Sequence, residues 1–184
     1  MSDNTKNSIV LTFIDMTIKK GIDKVTVKDL MEQCGISRQT FYYHFNDLMD
    51  VLEYSITRQL DCAIVSSKNE PSIEDSLKTF VNIILEERNL FHQLLLSKNY
   101  KYIEKMFIDA VKAYLKVLLG HTSNTYILNY LDLEKTLDFY SFAVVGYIIK
   151  YGDYDKPNAD ELASQLYKLL KHPFVNITDE KSQK

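Results

Sequence analysis

Glycine and proline, the residues that most often interrupt regular backbone structure, are scarce in this sequence. Its 184 residues include five glycines and three prolines, and neither type occurs between Gly35 and Pro71 or between Pro71 and Gly120. An all-β domain needs many turns and therefore more of both residues, whereas long helices tolerate such uninterrupted stretches. The composition therefore argues against a β fold and predicts long helices.

Cysteines and long apolar runs are also few. The two cysteines, Cys34 and Cys62, argue against a disulfide framework and are typical of a reducing compartment. The longest nearly uninterrupted apolar stretch, 139–149, has 11 residues and is well short of a bilayer span. The polar start of the chain is not followed by an apolar stretch of the kind found in signal peptides, so we expect no signal peptide. These observations predict a cytoplasmic protein with no membrane partner.

An excess of positive charge is lacking as well. The chain carries 22 Lys and Arg against 25 Asp and Glu, a net charge of −3. Proteins that bind nucleic acid through a general basic surface show a clear positive excess. Any contact with nucleic acid must therefore come from a local site.

Apolar residues recur at spacings of three and four through most of the chain, as in amphipathic helices. The pattern predicts a helix after Asn46 that ends in the polar stretch 66–71, followed by helices over 73–85, 90–96 and 103–120. Asn158 is a predicted N-cap for a last helix that ends at Pro173. We therefore predict an all-α fold.

The segment 26–45 predicts two short helices joined by a tight turn. Thr26 can cap the first helix, with Asp29 in the reciprocal position of a capping box. Gly35 can supply the left-handed residue of the turn, and Ser37 can cap the second helix, which extends to about Phe45. Two short helices joined by a glycine turn form a helix-turn-helix.

The second of these helices has two contrasting faces. At roughly 100° per residue, Phe41 and Phe45 lie on one face, which we expect to be buried. Tyr43 points away from them, between Gln39 and Thr40, and the flanks carry Arg38, Tyr42 and His44. Exposed tyrosines are unusual on a solvated helix, so this face predicts a contact surface; a solvated patch is the alternative.

The outward side chains have the chemistry that DNA recognition uses. Glutamine bonds adenine edges in the major groove and threonine contacts thymine, whereas tyrosine, arginine, histidine and serine bond phosphate oxygens. Lysines 19, 20, 24 and 28 add local positive charge, although residues 1–45 contain six Lys and Arg against five Asp and Glu. The candidate DNA-binding residues are Thr26, Lys28, Ser37, Arg38, Gln39, Thr40, Tyr42, Tyr43 and His44.

The run TVKDLMEQCGISRQTFYYHFNDLMDVL, residues 26–52, resembles the DNA-binding region of the TetR/AcrR family of bacterial transcription regulators. The capped helix, the Gly-Ile-Ser turn and the His-Phe ending match that family's pattern in register. Segments 89–99 and 139–146 resemble a branch that includes regulators of dihydroxyacetone-kinase operons. Two residues depart from the pattern: Leu48 stands where a lysine is common, which puts one phosphate contact in doubt, and Gln39 replaces a small residue.

The resemblance implies a two-domain organisation of the chain. Residues 1–48 would form a helix-turn-helix DNA-binding domain, and residues 49–184 a helical domain for effector binding and dimerisation. It also implies a homodimer that binds a palindromic double-stranded DNA operator as a repressor and responds to a small-molecule or protein effector.

Aromatic residues are abundant, with 13 tyrosines and nine phenylalanines, and suit either a buried interface or a ligand cavity. The candidate effector-pocket residues are Phe80, Phe91, His92, Tyr102, Tyr140 and Tyr147. The helix around 139–151 is apolar on all sides and must be buried on more than one, which a second copy could provide. The candidate dimer-interface residues are Phe142, Val145, Ile149, Leu162, Leu166 and Leu169.

Two other functions are alternatives. The first is an enzyme, which would need a nucleophile-base pair, a metal motif or a phosphate-binding loop. The sequence shows none of these, so we predict no enzymatic activity and no cofactor. The four histidines are far apart and no CxxC or HxxxH occurs, which argues against a metal, although a site assembled across helices or subunits stays open. The second alternative is a protein-interaction or co-regulator module with weakened DNA binding, which Leu48 and the near-neutral N-terminal part favour.

Overall fold

The computed structural model describes residues 2–120, 130–151 and 158–171, and the regular structure in these ranges is helical throughout. The first helices are α1 (Ser2–Lys20), a single 3-10 turn (Ile22–Lys24), α2 (Val27–Cys34), α3 (Arg38–His44) and α4 (Leu48–Ser67). They are followed by α5 (Ile73–Glu86), α6 (Arg88–Leu95), α7 (Tyr100–Gly120), α8 (Tyr130–Tyr151) and α9 (Ala159–Lys171). The predicted all-α fold is confirmed. No helix in the described ranges is long and apolar enough to cross a bilayer.

Side-chain caps determine where several of the later helices begin. The Asp47 carboxylate accepts a hydrogen bond from the Asp50 backbone N–H at the start of α4, and the Ser72 hydroxyl accepts one from the Asp75 N–H at the start of α5. Asn158 caps α9 as predicted, because its side-chain oxygen accepts from the backbone N–H groups that follow it. Pro173, which is predicted to end this helix, lies outside the described residues.

A first cluster of buried side chains, here called the N-terminal core, includes residues on both sides of the predicted domain boundary at residue 48. Its members are Ile9, Val10, Phe13, Ile22, Val25, Leu30, Phe41, Phe45, Val51, Leu52, Leu90, Leu94, Ile103 and Met106. The last six of these belong to α4, α6 and α7. The helix-turn-helix therefore packs in the same core as α4, α6 and α7, whose residues in this core lie beyond residue 48.

A second cluster, here called the bundle core, holds α4, α5, α7, α8 and α9 together. At its centre Tyr114 stacks on Phe80 with ring centroids 4.3 Å apart, and the Tyr114 hydroxyl donates to the Ser76 carbonyl. Burial raises the pKa of Tyr114 to about 12, so the phenol remains neutral and keeps this hydrogen bond. Phe107 packs against both clusters and connects the two cores.

Candidate nucleic-acid interface

The helix-turn-helix forms as the sequence predicts, because each of its signals is satisfied locally. The Thr26 hydroxyl accepts from the Asp29 backbone N–H at 3.1 Å, which starts α2. Gly35 ends α2 in the left-handed conformation, with φ at 64°. The backbone N–H groups of Gly35 and Ile36 then return to the Glu32 and Met31 carbonyls. The Ser37 hydroxyl accepts from the Thr40 N–H at 3.0 Å and starts α3.

The inward face of α3 anchors it to the N-terminal core. Phe41 is fully buried and Phe45 almost so, with their ring centroids 6.2 Å apart. Phe45 also meets the Tyr54 ring of α4 edge-on at 5.7 Å, and the Lys6 ammonium lies over both rings. Since α3 has only seven residues, this packing rather than its own hydrogen bonding holds it in place.

The outward face of α3 is open to solvent along its length. Tyr43 is 77% exposed and Tyr42 is 47% exposed. Arg38 and Gln39 are also exposed, whereas Thr40 and His44 are half-buried. The sequence-based assignment of the two faces therefore agrees with the observed burial. No part of the described chain covers the tyrosine side.

Neighbouring side chains hold several of these groups in defined positions. The Arg38 guanidinium lies 5.4 Å from the centre of the Tyr42 ring, and the Tyr43 and His44 rings meet edge-on at 4.9 Å. The Thr40 and Ser37 hydroxyl oxygens are 2.8 Å apart and share a hydrogen bond. The Thr40 hydroxyl is thus engaged in the cap, which leaves its methyl group as the part better suited to a base contact.

Local carboxylates pair with most of the lysines that the sequence places beside the motif. The Lys20 ammonium bonds the Asp29 carboxylate at 2.8 Å, and together with the Thr26 hydrogen bond this lowers the pKa of Asp29. Lys28 is exposed but lies 3.8 Å from Glu32 on the next helical turn. Among the described residues Arg38 has no carboxylate within ion-pair distance, so it is the side chain in α3 whose positive charge is least offset.

The structure explains the consequence of Leu48 at the start of α4. Its side chain is half-buried and packs against the N-terminal core, so it cannot replace the phosphate contact of a lysine. The adjacent Asn46 is also held internally, because its backbone and side-chain N–H groups both donate to the Asp50 carboxylate. The end of α3 is therefore stabilised by contacts within the chain rather than prepared for a phosphate.

Of the candidate effector residues, two line the same cavity. Phe80 and Phe91 border a cavity of about 110 Å³ between α4, α5, α6, α7 and α8. Tyr102 instead lies in a separate groove beside Lys105, and the Tyr147 hydroxyl donates to the Gln165 side chain on α9 at 2.6 Å. His92 is exposed on α6, and Tyr140 packs against the bundle core. These four do not border that cavity, because each faces a different side of its helix.

The candidate interface residues separate into exposed and buried groups. Phe142 is 62% exposed on α8 and Leu169 is 56% exposed on α9, whereas Ile149 and Leu162 are half-buried against the bundle core. A correction applies to Val145 and Leu166, which are buried within the protomer itself and are not available to a partner. The apolar second half of α8 thus uses one face for its own bundle and presents part of another to solvent.

Metal ligands do not gather in the part of the chain that the structure describes. No group of three or more His, Cys, Asp or Glu side chains there could hold a metal ion. Two of the four histidines, His121 and His172, lie outside the described residues.

One comparison identifies the helix-turn-helix region. Residues 14–53 match the family model of the bacterial regulatory proteins, tetR family, which spans the end of α1 to the first turns of α4. This match includes all nine candidate DNA-binding residues. No curated protein sequence matches the chain.

Solved structures share the fold over nearly the whole chain. The dihydroxyacetone kinase operon activator DhaS superposes with a TM-score of 0.67 at 18% identity, covering 91% of this chain and 94% of its own. A protein described as a TetR-family transcriptional regulator from Syntrophomonas wolfei gives 0.64 at 14% identity, covering 96% and 100%. A transcriptional regulator from Aquifex aeolicus VF5 gives 0.59 at 20% identity, covering 92% and 99%.

These identities establish a shared fold, and the family model identifies the DNA-binding region within it. Both findings agree with the open, capped helix-turn-helix seen in the structure. Residues 14–53 therefore match the bacterial regulatory proteins of the tetR family, and the fold of the chain is similar to that of solved transcriptional regulators of the TetR/AcrR family.

Proposed function

We propose that this protein binds a palindromic double-stranded DNA operator as a homodimer, represses transcription there, and responds to an effector in its helical bundle. The observation that carries the proposal is the exposed outward face of α3, where Tyr43 is the most exposed large side chain. This face lies opposite the buried Phe41 and Phe45, so it can enter a major groove while the helix stays anchored.

The side chains of this face have distinct roles in the proposed complex. Gln39 and the Thr40 methyl group face base edges, where glutamine suits adenine and a methyl group suits thymine. Tyr42, Tyr43, His44 and Arg38 contact phosphates on either side of the groove, together with the caps Thr26 and Ser37. Lys28 adds a weaker phosphate contact, since Glu32 competes for its ammonium group.

A homodimer would supply the specificity that one short helix lacks. A single seven-residue helix reaches too few base pairs for high specificity, whereas a two-fold pair reads two half-sites. The exposed apolar side chains Phe142 and Leu169 support an interface on α8 and α9. In this arrangement residues 1–48 contact DNA and residues 49–184 provide dimerisation and effector binding.

The path from bundle to DNA-binding region runs through α6 and the turn that follows it. The Asp23 carboxylate, in the 3-10 turn before α2, accepts from the Ser97 hydroxyl and from the Lys98 backbone N–H, both at 2.8 Å. Leu90 and Leu94 of α6 line the cavity and also belong to the N-terminal core. An occupant that displaces α6 would therefore move the support of the helix-turn-helix.

The decisive experiment is a titration of a labelled duplex from the DNA flanking the protein's own gene with the full chain, followed by fluorescence anisotropy. Replacing Tyr43 with alanine (Tyr43→Ala) should weaken binding at least about tenfold, while helicity by circular dichroism stays unchanged. Tyr102→Ala is the matched control, because Tyr102 is an exposed tyrosine on α7, away from α3. Equal affinities for the wild type and the Tyr43 variant would refute the proposal.

Activation is the second candidate output, since a structure that shares this fold is an operon activator. A promoter reporter in cells that lack the gene separates the two. Reporter activity should rise on deletion if the protein represses, and it would fall if the protein activates.

A further inference from the structure

The side chains that line the cavity between α4 and α8 indicate which kind of ligand it can bind. Nearly every side chain that borders it is apolar, and three are phenylalanines: Phe80, Phe91 and Phe107. The Phe91 and Phe107 ring centroids are 4.9 Å apart, so two of these rings form one wall. Such a lining favours an apolar ligand and above all a flat ring.

The size of the cavity limits the ligand. Its volume is about 110 Å³. A dry apolar cavity of about 150 Å³ binds benzene, so this smaller cavity suits a ligand with no more than a single ring, whose substituent lies at the border of the cavity. A fused ring system or a long acyl chain would require the surrounding helices to separate.

Polar groups at the border of the cavity determine which substituent fits. Glu87 is the charged residue among the described lining residues, and the Gln59 amide donates to its Oε1 at 3.2 Å. Both side chains are half-buried, so they lie where the apolar interior meets solvent. Within the described chain no hydrogen bond reaches Glu87 Oε2, which leaves an acceptor for a ligand.

We propose that this cavity binds a compact apolar molecule bearing a hydrogen-bond donor, neutral or cationic, and discriminates against carboxylates. A hydroxyl or ammonium group can donate to the Glu87 carboxylate while its ring packs among the phenylalanines. A ligand carboxylate would place a second negative charge beside Glu87 at the edge of an apolar cavity, with no positive side chain among the described lining residues to offset it.

The consequence for regulation rests on the proposed function. Two lining residues, Leu90 and Leu94, also belong to the N-terminal core that supports α3. Binding in the cavity would therefore shift the position of α6 and change operator affinity. Binding itself does not depend on that role and can be measured without DNA.

The test uses four single-ring probes that differ in one substituent: benzylamine, benzyl alcohol, toluene and benzoate. Each is titrated into the full chain labelled with ¹³C at isoleucine methyl groups, and binding is followed by NMR at Ile83, Ile84 and Ile148, which line the cavity. Benzylamine and benzyl alcohol should bind at these methyl groups, and benzoate at least about tenfold more weakly than benzylamine.

The variant Glu87→Gln removes the charge while keeping a side chain of similar size. It should lower benzylamine affinity about fivefold or more and reduce the difference between benzylamine and benzoate, whereas toluene should be unaffected. Glu86→Gln is the matched control, because Glu86 is the preceding residue, is exposed and does not border the cavity.

Three results would overturn the inference: equal binding of benzoate and benzylamine, an unchanged preference in Glu87→Gln, or no methyl shifts with any probe. The DNA titration of the unliganded protein reports separately on the proposed function. Probe binding in a protein that does not bind its flanking DNA would leave the cavity assignment standing and remove the regulatory role.

Discussion

At the scale of single residues, α3 shows how a very short helix can be both anchored and exposed. Phe41 and Phe45 bury one side, which leaves the side of Tyr43 free for contact. The hydroxyl of Thr40 is shared with Ser37, so even a surface side chain here has a structural role. In the proposed DNA complex, recognition would therefore use a helix that is already held in place before DNA binds.

The first residue-scale prediction concerns Arg38, whose charge has no carboxylate partner among the described residues. Arg38→Ala should reduce the slope of log K against log salt by about 0.9 for each protomer, or about 1.8 for the proposed homodimer, if each Arg38 makes one phosphate contact. Lys28→Ala should change the slope less, because Glu32 lies 3.8 Å from the Lys28 ammonium. The measurement is operator affinity across a salt series. An unchanged slope in Arg38→Ala would assign that side chain to another role.

A second residue-scale prediction concerns Asp23 and pH. Hydrogen bonds from the Lys98 backbone and the Ser97 hydroxyl lower the pKa of Asp23 below its usual 3.8. Because the folded-state pKa is lowered, its stabilising effect is fully present above the unfolded-state pKa and is lost as pH falls through the folded-state value.

Asp23→Ala should therefore lower Tm at pH 7, and the difference from the wild type should shrink as pH falls below about 4. Differential scanning calorimetry over a pH series measures this. Asp109→Ala is the control, because Asp109 pairs only with the exposed Lys105 one turn away and should alter Tm little. A Tm difference that is independent of pH would show that the carboxylate charge contributes nothing.

At the scale of elements, the turn between α2 and α3 depends on backbone conformation rather than on space. Gly35 has φ at 64°, and a Cβ added there would meet no atom within 4 Å. Gly146 also has open space but lies within α8 without a positive φ. Because neither position is sterically crowded, a comparison of the two glycines tests the effect of the backbone conformation alone.

Gly35→Ala should destabilise the protein by about 1 kcal/mol, because alanine disfavours the left-handed region. Gly146→Ala should stabilise it by about 0.5 to 1 kcal/mol, because glycine is costly inside a helix. Urea denaturation measures both free energies of unfolding. Changes of the same sign in the two variants would show that the turn does not require the left-handed conformation.

At the scale of the whole molecule, the exposed apolar residues of α8 and α9 bear on assembly. Phe142 and Leu169 are each more than half exposed, although both are large and apolar. A second copy packed on this face would remove that surface from water. In the proposed homodimer, this pairing would let two copies of α3 contact one duplex.

Phe142→Asp should shift the protein from dimer to monomer in sedimentation velocity and weaken operator binding, because the charge would be buried at the interface. Val65→Asp is the control, since Val65 is a similarly exposed apolar residue that lies on α4 rather than on α8 or α9. A Phe142 variant that remains dimeric would place the interface elsewhere.

The sequence predicts the parts of this molecule that local chemistry decides. The caps Thr26, Ser37 and Asn158 and the buried side of α3 follow from a few neighbouring residues. Val145 was assigned to the wrong surface because a helix that is apolar all round carries no signal about which side faces its own bundle. The sequence does not indicate that Glu87 and Gln59 meet, because their proximity depends on how α4 packs beside the junction of α5 and α6.

The sharing of one core by both halves of the chain also bears on protein engineering. A chimera that exchanges only the predicted DNA-binding domain would be cut near residue 48. Such a cut would separate Phe41 and Phe45 from Leu90 and Leu94, the α6 residues in the same core. A chimera meant to transfer operator specificity to another scaffold should therefore also carry the matching α6 residues. Without them, the transferred helix-turn-helix would pack against side chains that do not fit it.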